Sequence, residues 1–386
     1  MKSMAGILIK EKRIQKDWSQ ESLCHGICSI SYLSKLENGN IQVNEEIVDA
    51  LFQRLGIDRL NDQDLEKINQ FYQDAFHPIY DVINVHFSKE ELEMMENSFN
   101  CLDSLLIQFY QSQCDSKESI LYEKIKNYTS FMNERQLKLF DQLSFVTHHM
   151  DENIFLKKYQ SSDSYLIVAL ARFNQGSIAS AIYYWTKAYG QACQEANVKN
   201  MAMAQMGLGN MYCSLHEEEL MKQCYQKVEK MISISDIDIQ KEDLLYNMAT
   251  LYIEQNQPEK ALSMLQSVIS SAQQNLQLVY HKIALCYEML GQKEKAKESI
   301  HKGLETSSEY DFLLEIVLYR LEHSNYIQDK EYEDLIRNGL AFCENHLPYG
   351  FLLNMHTLLL EVLEGQRRYK EAYGLLKEIF IKNHRK

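Results

Sequence analysis

Residues 12–39 read KRIQKDWSQESLCHGICSISYLSKLENG. Lys12, Arg13 and Ile14 close one helix. Ser19 is placed to cap a second over Gln20–Cys24, because its hydroxyl can accept from an orphan N–H of the first turn. His25, Gly26 and Ile27 make a turn. Ser29 caps a third helix, Ile30–Glu37, which Asn38-Gly39 ends. Working outward, Met4–Lys16 is the first helix. Asn44–Leu55 is the fourth, with Asn44 as cap, Glu45 and Glu46 at its positive end and Gly56 as its stop. Ile7, Ile14, Trp18, Leu23, Ile27, Leu33, Leu36, Ile47, Leu51 and Leu55 are expected to fill a small core. Residues 1–60 therefore read as a compact five-helix head. Residues 61–77 form a polar amphipathic helix ending before Pro78, a connector within a linker at 61–90.

The spacing at 12–39 predicts a helix-turn-helix, whose third helix lies in the DNA major groove and touches base edges with its early residues. From about residue 90 the chain changes character and repeats itself. In IALCYEMLGQKEKAKESIHKGL, Gly291 and Ala296 lie five apart and Tyr287 lies nine before Ala296. In MATLYIEQNQPEKALSMLQSVI, Tyr252 lies nine before Ala261. Gly176 and Ala181 repeat the five-residue step, Asn210 with Cys224 matches Asn247 with Ala261, and Ala372 closes a last copy. Small residues let two helices cross closely. About five recognisable copies fall in residues 163–386, with one or two degenerate pairs expected over 91–160. The pattern resembles the tetratricopeptide repeat, with a period drifting above its usual length. Stacked pairs of this kind form a superhelix with a groove suited to a peptide. The predicted fold is all-α: a helix-turn-helix domain at 1–60, a linker helix at 61–90, and a tetratricopeptide-like right-handed α-superhelix at 91–386.

Composition sets limits. Only 3 Pro and 14 Gly in 386 residues, with apolar positions at helical spacing, fit an almost wholly helical chain. No apolar run approaches the roughly 18 residues of a membrane span, and the start has no cleavable signal pattern, so a cytoplasmic protein without membrane contact is expected. Nine scattered Cys fit reduced, packed thiols. The net charge of -14 divides unevenly. Residues 1–60 carry eight bases and eight acids, so the whole deficit lies in 61–386. Non-specific attraction to DNA is then weak, and a useful grip needs two heads, hence a homodimer on a palindromic promoter site.

A helix-turn-helix followed by a tetratricopeptide array resembles the RRNPP-type peptide-sensing regulators of Gram-positive bacteria (the PlcR, PrgX, Rgg and NprR group). GICSISYLSKLENG is most similar to the PlcR pattern. The resemblance implies a dimer through the repeats, an imported signalling peptide in the groove, and a peptide-dependent arrangement of the two heads. Its partners would be double-stranded DNA and a short peptide, in quorum sensing. The peptide must favour one arrangement of the heads by differential affinity.

In the head, Ile30, Ser31, Ser34 and Lys35 lie on the exposed side of the third helix, with Ser29 and Tyr32 beside them. Lys35 can donate to guanine, while Ile30 offers only apolar contact, so readout leans on DNA shape. Gln20 and Asn38 are placed to hold phosphates, which set register. Arg13 and Glu37 are read as an internal ion pair. In the repeats, counting back fourteen from the small residue gives Asn210, Asn247 and Lys282. An amide can donate to and accept from an extended peptide backbone at once. Tyr246, Thr250, Leu278, His281 and Leu285 sit on the same faces and would line pockets, with Asn174 and Asn354 as weaker candidates. The acidic array favours a peptide with a free amino terminus or a Lys.

Other motifs read as structure. Cys24-His25 with Cys28 lacks a second ligand pair, and packing outweighs metal binding there. His148 and His149 would point about 100° apart on a helix. Tyr183-Tyr184-Trp185 reads as core. No nucleotide-binding or hydrolase motif occurs, so neither an enzyme nor a cofactor is expected. The competing readings are a tetratricopeptide adaptor whose head only dimerises or docks a protein, and a thiol or metal sensor using Cys24 and Cys28.

Overall fold

The computed structural model describes residues 4–41, 44–75, 87–112, 118–235, 241–271, 276–306, 310–347 and 349–384. Pro78, most of the second half of the expected linker and Cys114 lie outside them. Among the described residues every regular element is a helix, and the chain forms two compact units, Met1–Tyr159 and Gln160–Lys386.

The first unit holds α1 (Met4–Gln15), α2 (Gln20–Cys24), α3 (Ile30–Glu37), α4 (Glu45–Leu55), α5 (Asp62–Ala75), α6 (Lys89–Glu96), α7 (Cys101–Gln111), α8 (Glu118–Lys126), α9 (Glu134–Val146) and α10 (Glu152–Lys158). The expected caps form. Ser19 accepts from the Ser22 N–H, Ser29 from Tyr32 and Asn44 from Ile47, while Gly56 closes α4 in the left-handed conformation. Among the described residues up to 60 there are four helices, and the fifth begins at Asp62.

The head core is Ala5, Leu8, Ile9, Leu23, Leu33, Leu36, Val48, Leu51, Phe52 and Leu55. Ile14, expected inside, is 53% exposed. Gly6 explains the change of face: a Cβ there would lie 2.0 Å from the Leu36 carbonyl oxygen. The backbone of α1 is pressed on α3 at that point, so Ala5, Leu8 and Ile9 take the core. Ile14 falls past the contact. Ile7, Trp18, Ile27 and Ile47 are half-buried.

The helix read as a connector is not a polar tether. Ile68, Phe71, Tyr72 and Ala75 of α5, at i, i+3, i+4 and i+7, enter a core with Leu102, Leu106, Phe109, Leu139 and Phe140. The Tyr72 hydroxyl donates to the buried Asp103 carboxylate (2.7 Å), which also accepts from Gln136 and Asn100 (both 2.9 Å). Buried polar groups need such partners. The sequence boundaries at 60 and 90 thus mark changes of motif, and both fall inside this unit.

Among its described residues the second unit holds six consecutive helix pairs: α11 (Ser162–Asn174) with α12 (Ile178–Gln194), α13 (Val198–Ser214) with α14 (Glu218–Ile234), α15 (Lys241–Glu254) with α16 (Pro258–Ser271), α17 (Leu276–Met289) with α18 (Lys293–Leu304), α19 (Asp311–Glu322) with α20 (Lys330–His346), and α21 (Tyr349–Gly365) with α22 (Tyr369–His384). The turn within five pairs holds one residue at positive φ: Gly176, His216, Asn256, Gly291 and Arg367. Five residues on sits a buried anchor: Ala181, Met221, Ala261, Ala296 and Ala372. The second anchor is therefore Met221, not Cys224. A Met folds into the space an Ala fills elsewhere, and this hid the copy from spacing arguments. The fifth pair has a longer connection, and its fourth position in α20 is Glu333, buried at 7% exposure and paired with Arg337 and Arg368 (both 2.6 Å). A charged anchor makes that copy illegible as a repeat.

Candidate DNA-reading helix and first-helix face

In the head, buried chemistry holds α3 in place. Arg13 grips Glu37 with two nitrogens (Nε to Oε1 2.6 Å, Nη2 to Oε2 2.9 Å) and donates to the Trp18 carbonyl (2.8 Å). The hydrogen bond to Glu37 holds the guanidinium above its ordinary pKa. Gln20 Nε2 donates to the same carboxylate (2.8 Å). Arg54 donates to the carbonyls of Leu23 (2.9 Å) and His25 (2.5 Å), closing the end of α2.

These bonds sort the expected contacts. Gln20, expected on a phosphate, has one amide hydrogen on Glu37 instead. Ser29 is occupied as a cap, accepting from the Tyr32 N–H (3.1 Å). The Tyr32 hydroxyl accepts from the Asn44 N–H (3.1 Å), tying α3 to the start of α4. Asn38 Nδ2 donates back to the Ser34 carbonyl (2.8 Å), and Ser34 is half-buried. Ile30, Ser31 and Lys35 remain exposed, with Ile30 at 47%. Among the described residues their side chains have no hydrogen-bond or ionic partner.

In the second unit the first helices stack in order, α13 on α15, α15 on α17, and α17 on α19. Asn210 Oδ1 accepts from Asn247 Nδ2 (3.0 Å) and from the Tyr225 hydroxyl (2.6 Å). The two asparagines singled out by spacing therefore meet. Their equivalence in register does not hold. Counted from the anchors, Asn247 corresponds to Gly207, and Asn210 lies one turn further on. Gly207 makes room for an aromatic ring, since a Cβ there would sit 2.5 Å from Trp185. Gly209 likewise lies under Tyr225, with a Cβ only 2.2 Å from the ring. Two glycines on α13 thus let two rings of the flanking helices lie against it. One of those rings, Tyr225, fixes Asn210, and spacing arguments missed it because its role depends on the glycine beneath.

The remaining expected groove residues are distributed differently. Lys282 is half-buried. Burial lowers its pKa, while Glu254 opposes the shift. Glu254 is itself pushed up by burial, and it reaches His216 at 3.8 Å. His281 is buried, with Nδ1 lacking a partner. Burial, then the positive charges of Lys282 and Arg320, hold its pKa well below the ordinary value. Leu278 lies in the cluster with Leu313, Ile316 and Met355, and Tyr246 packs on that cluster. Leu285 packs among α17, α18 and α19. Thr250 donates its hydroxyl back to the Tyr246 carbonyl (3.2 Å). Leu278 and His281 are thus core positions, because their helix buries that face against its neighbours. Asn174 and Asn354 are exposed. Spacing also missed the bidentate pair of Arg320 on α19 with Glu288 on α17 (3.1 and 2.6 Å).

The other motifs sit in the packing. Cys24 is buried in the head, and Trp185 is buried beside an exposed Tyr183. His149 stacks on Tyr122 (centroids 3.9 Å apart) and meets Glu118 at 3.1 Å. No group of three metal-ligating side chains occurs among the described residues, and no helix there is long and apolar enough to cross a membrane.

Comparison with known proteins adds to this geometry. A helix-turn-helix family (HTH_3) matches residues 9–60, and a tetratricopeptide repeat family (TPR_6) matches residues 243–274 and 279–302, over α15–α18. The chain is similar to the transcriptional activator NprA of Geobacillus stearothermophilus, 20% identical over 94% of this chain and 99% of that one. Among solved structures it is similar to the apo form of the quorum sensor NprR from Bacillus thuringiensis (TM-score 0.48, 17% identity, 83% of this chain and 99% of that one). It is also similar to Bacillus thuringiensis PlcR in complex with the peptide PapR7 and DNA (TM-score 0.32, 15% identity, 82% and 98%). The helix-turn-helix match thus falls in the head and the tetratricopeptide match in α15–α18, and the similarity to NprA runs nearly the full length of both chains. The curated relative is named as a transcriptional activator.

Proposed function

We propose that this chain is a cytoplasmic, DNA-binding transcriptional regulator whose repeats bind a short signalling peptide, and that peptide binding alters its hold on a promoter. One observation carries the reading. The helix that a helix-turn-helix lays in the major groove exposes Ile30, Ser31 and Lys35, while its caps and inner side are committed to the head. Ser31 and Lys35 are the base-edge candidates, and Ile30 supplies apolar contact to a thymine methyl. Gln20, Ser29, Tyr32, Ser34 and Asn38 hold the helix at the right depth, and their contacts to DNA are limited to phosphates.

The neutral charge of residues 1–60 gives one head little electrostatic grip, so the working form is a homodimer on a palindromic site. In the repeats, Asn210 and Asn247 are the backbone-gripping pair. Asn210 keeps its Nδ2 donors and Asn247 its Oδ1 acceptor outside the bond they share, so the pair offers an extended peptide both donors and an acceptor. End-to-end similarity to a protein named as a transcriptional activator supports the regulatory reading.

Fluorescence anisotropy of the full chain on the DNA upstream of its own gene, across a salt series, tests it. The titration is run with and without synthetic peptides taken from short neighbouring reading frames. Specific binding that a peptide shifts is the expected result. Binding no tighter than to a random fragment would refute the proposal and favour a protein-docking adaptor.

A further inference from the structure

We infer that the peptide bound on the first-helix face carries a carboxylate, and that Lys282 is its anchor. This rests on the peptide reading above and adds the ligand's chemistry to it. Counted from the anchors Ala261 and Ala296, Lys282 holds on α17 the register position that Asn247 holds on α15. The Asn247–Asn210 bond shows that side chains at this level reach across to the preceding helix.

Lys282 stands apart from the paired cations of these repeats, and burial lowers its pKa. Arg320 is engaged by Glu288, Lys222 by Glu218, Lys297 by Glu322 (3.1 Å) and Lys302 by Glu298 (2.7 Å). Among the described residues Lys282 has no hydrogen bond and no carboxylate within ion-pair distance. The acid that acts on it through space, Glu254, lies beyond ion-pair distance of it and is also 3.8 Å from His216. An ammonium has three donors and no acceptor, so what completes this site must accept. Peptide carbonyls could take up the hydrogens, but only an anion also offsets a charge held partly out of water.

The chain's net charge points the other way, toward a cationic peptide. Exposed charges further off than about 8–10 Å are largely screened at ordinary salt, so the local unpaired cation governs. In a short peptide the carboxylate is either an Asp or Glu side chain or the free C-terminus.

The test uses the full-length chain and three synthetic heptapeptide mixtures, all with free amino termini and otherwise uncharged residues. One ends in a free carboxylate, one in an amide, and one in an amide with Asp fixed at the centre. Retention is read by size exclusion and mass spectrometry. At least one carboxylate mixture should be retained about tenfold better than the plain amide mixture, as expected for one charge-assisted contact. Whichever of the two it is identifies the source. Lys282→Met should abolish the preference while leaving the thermal transition and the weak amide retention unchanged, and Lys282→Arg should keep most of it. Equal retention of acid and amide mixtures, or a preference that survives Lys282→Met, would overturn the inference and leave the peptide reading standing. Retention of none of the three would overturn both. Loss of all retention in Asn210→Ala/Asn247→Ala marks the peptide site itself.

Discussion

Arg13→Met should unfold the head far more readily than loss of an exposed cation would. The Glu37 side chain is 1% exposed, and Arg13 supplies two of its three side-chain donors. Removing Arg13 leaves a buried carboxylate with Gln20 alone. Breaking a buried pair from one side costs about 3–5 kcal/mol, whereas replacing both partners with apolar residues of similar volume is often neutral. With a urea m-value of about 2 kcal/mol/M, the single substitution should lower the midpoint by about 1.5–2.5 M. Arg13→Met/Glu37→Leu should recover most of that. The chain has two tryptophans, Trp18 in the head and Trp185 in the repeats. In a Trp185→Phe background, Trp18 fluorescence reports the head alone. A single-variant cost under about 1 kcal/mol, or a double variant as unstable as the single, would show that the pair is solvated and that this account of α3 is wrong.

Gly6→Ala brings a methyl to 2.0 Å from a backbone oxygen of α3, which cannot swing aside as a side chain does. The gain of about 1 kcal/mol in helix propensity will not cover this, and DNA affinity should fall along with the Trp18-reported midpoint. Tyr225→Phe removes one of two donors to Asn210 and should cost about 1 kcal/mol in unfolding of the second unit, measured by denaturant titration. It should weaken peptide binding without affecting DNA binding by the peptide-free protein. His281 sits in the fold with its pKa well below the ordinary value, so the unfolded chain binds its proton more readily. Stability is therefore full above about pH 6.5 and falls below it, by up to about 1.4 kcal/mol per pH unit. His281→Leu should flatten the slope of the melting temperature between pH 7 and pH 5, and an unchanged slope would refute the assignment. Lys35→Ala should cost about 1–3 kcal/mol on the specific promoter site and much less on random DNA if Lys35 reads a base, as anisotropy on both fragments would show.

The sequence was most legible where local chemistry decides the outcome. Ser19, Ser29, Asn44 and Gly56 act through their own turn, so their helices begin and end where a reading of caps puts them. Facing was less legible. Ile14 and Ile9 are alike as residues, and only the contact of Gly6 with α3 decides which is buried. Register was read well where the anchor is Ala and misread where it is Met221, since the positive-φ turn residue that fixes the count is His216 in that copy and Gly only in others. Two groove expectations failed because one helix face serves two neighbours. Leu278 and His281 face the adjoining helices, and Lys282 is left half-open beside them.

On the proposed function, the packing of the first unit limits how a peptide signal could reach DNA. Phe52 lies 5.9 Å from Phe99, the Tyr128 hydroxyl donates to Glu11 (2.9 Å), Lys12 meets Asn97, and Cys101 belongs to the head's own core. These contacts seat the head against the rest of its unit and not on a loose tether, so on the proposed function a peptide has more to do than stiffen one. It would have to favour a different arrangement of whole packed units, and its leverage would equal its differential affinity for the two arrangements. The coupling is reciprocal: if a peptide tightens DNA binding by some factor, DNA tightens peptide binding by the same factor. Contacts such as Glu11–Tyr128 and Phe52–Phe99 would then transmit the effect without setting its size. Weakening them should reduce the coupling measured from either ligand and leave the affinity of each ligand alone largely intact.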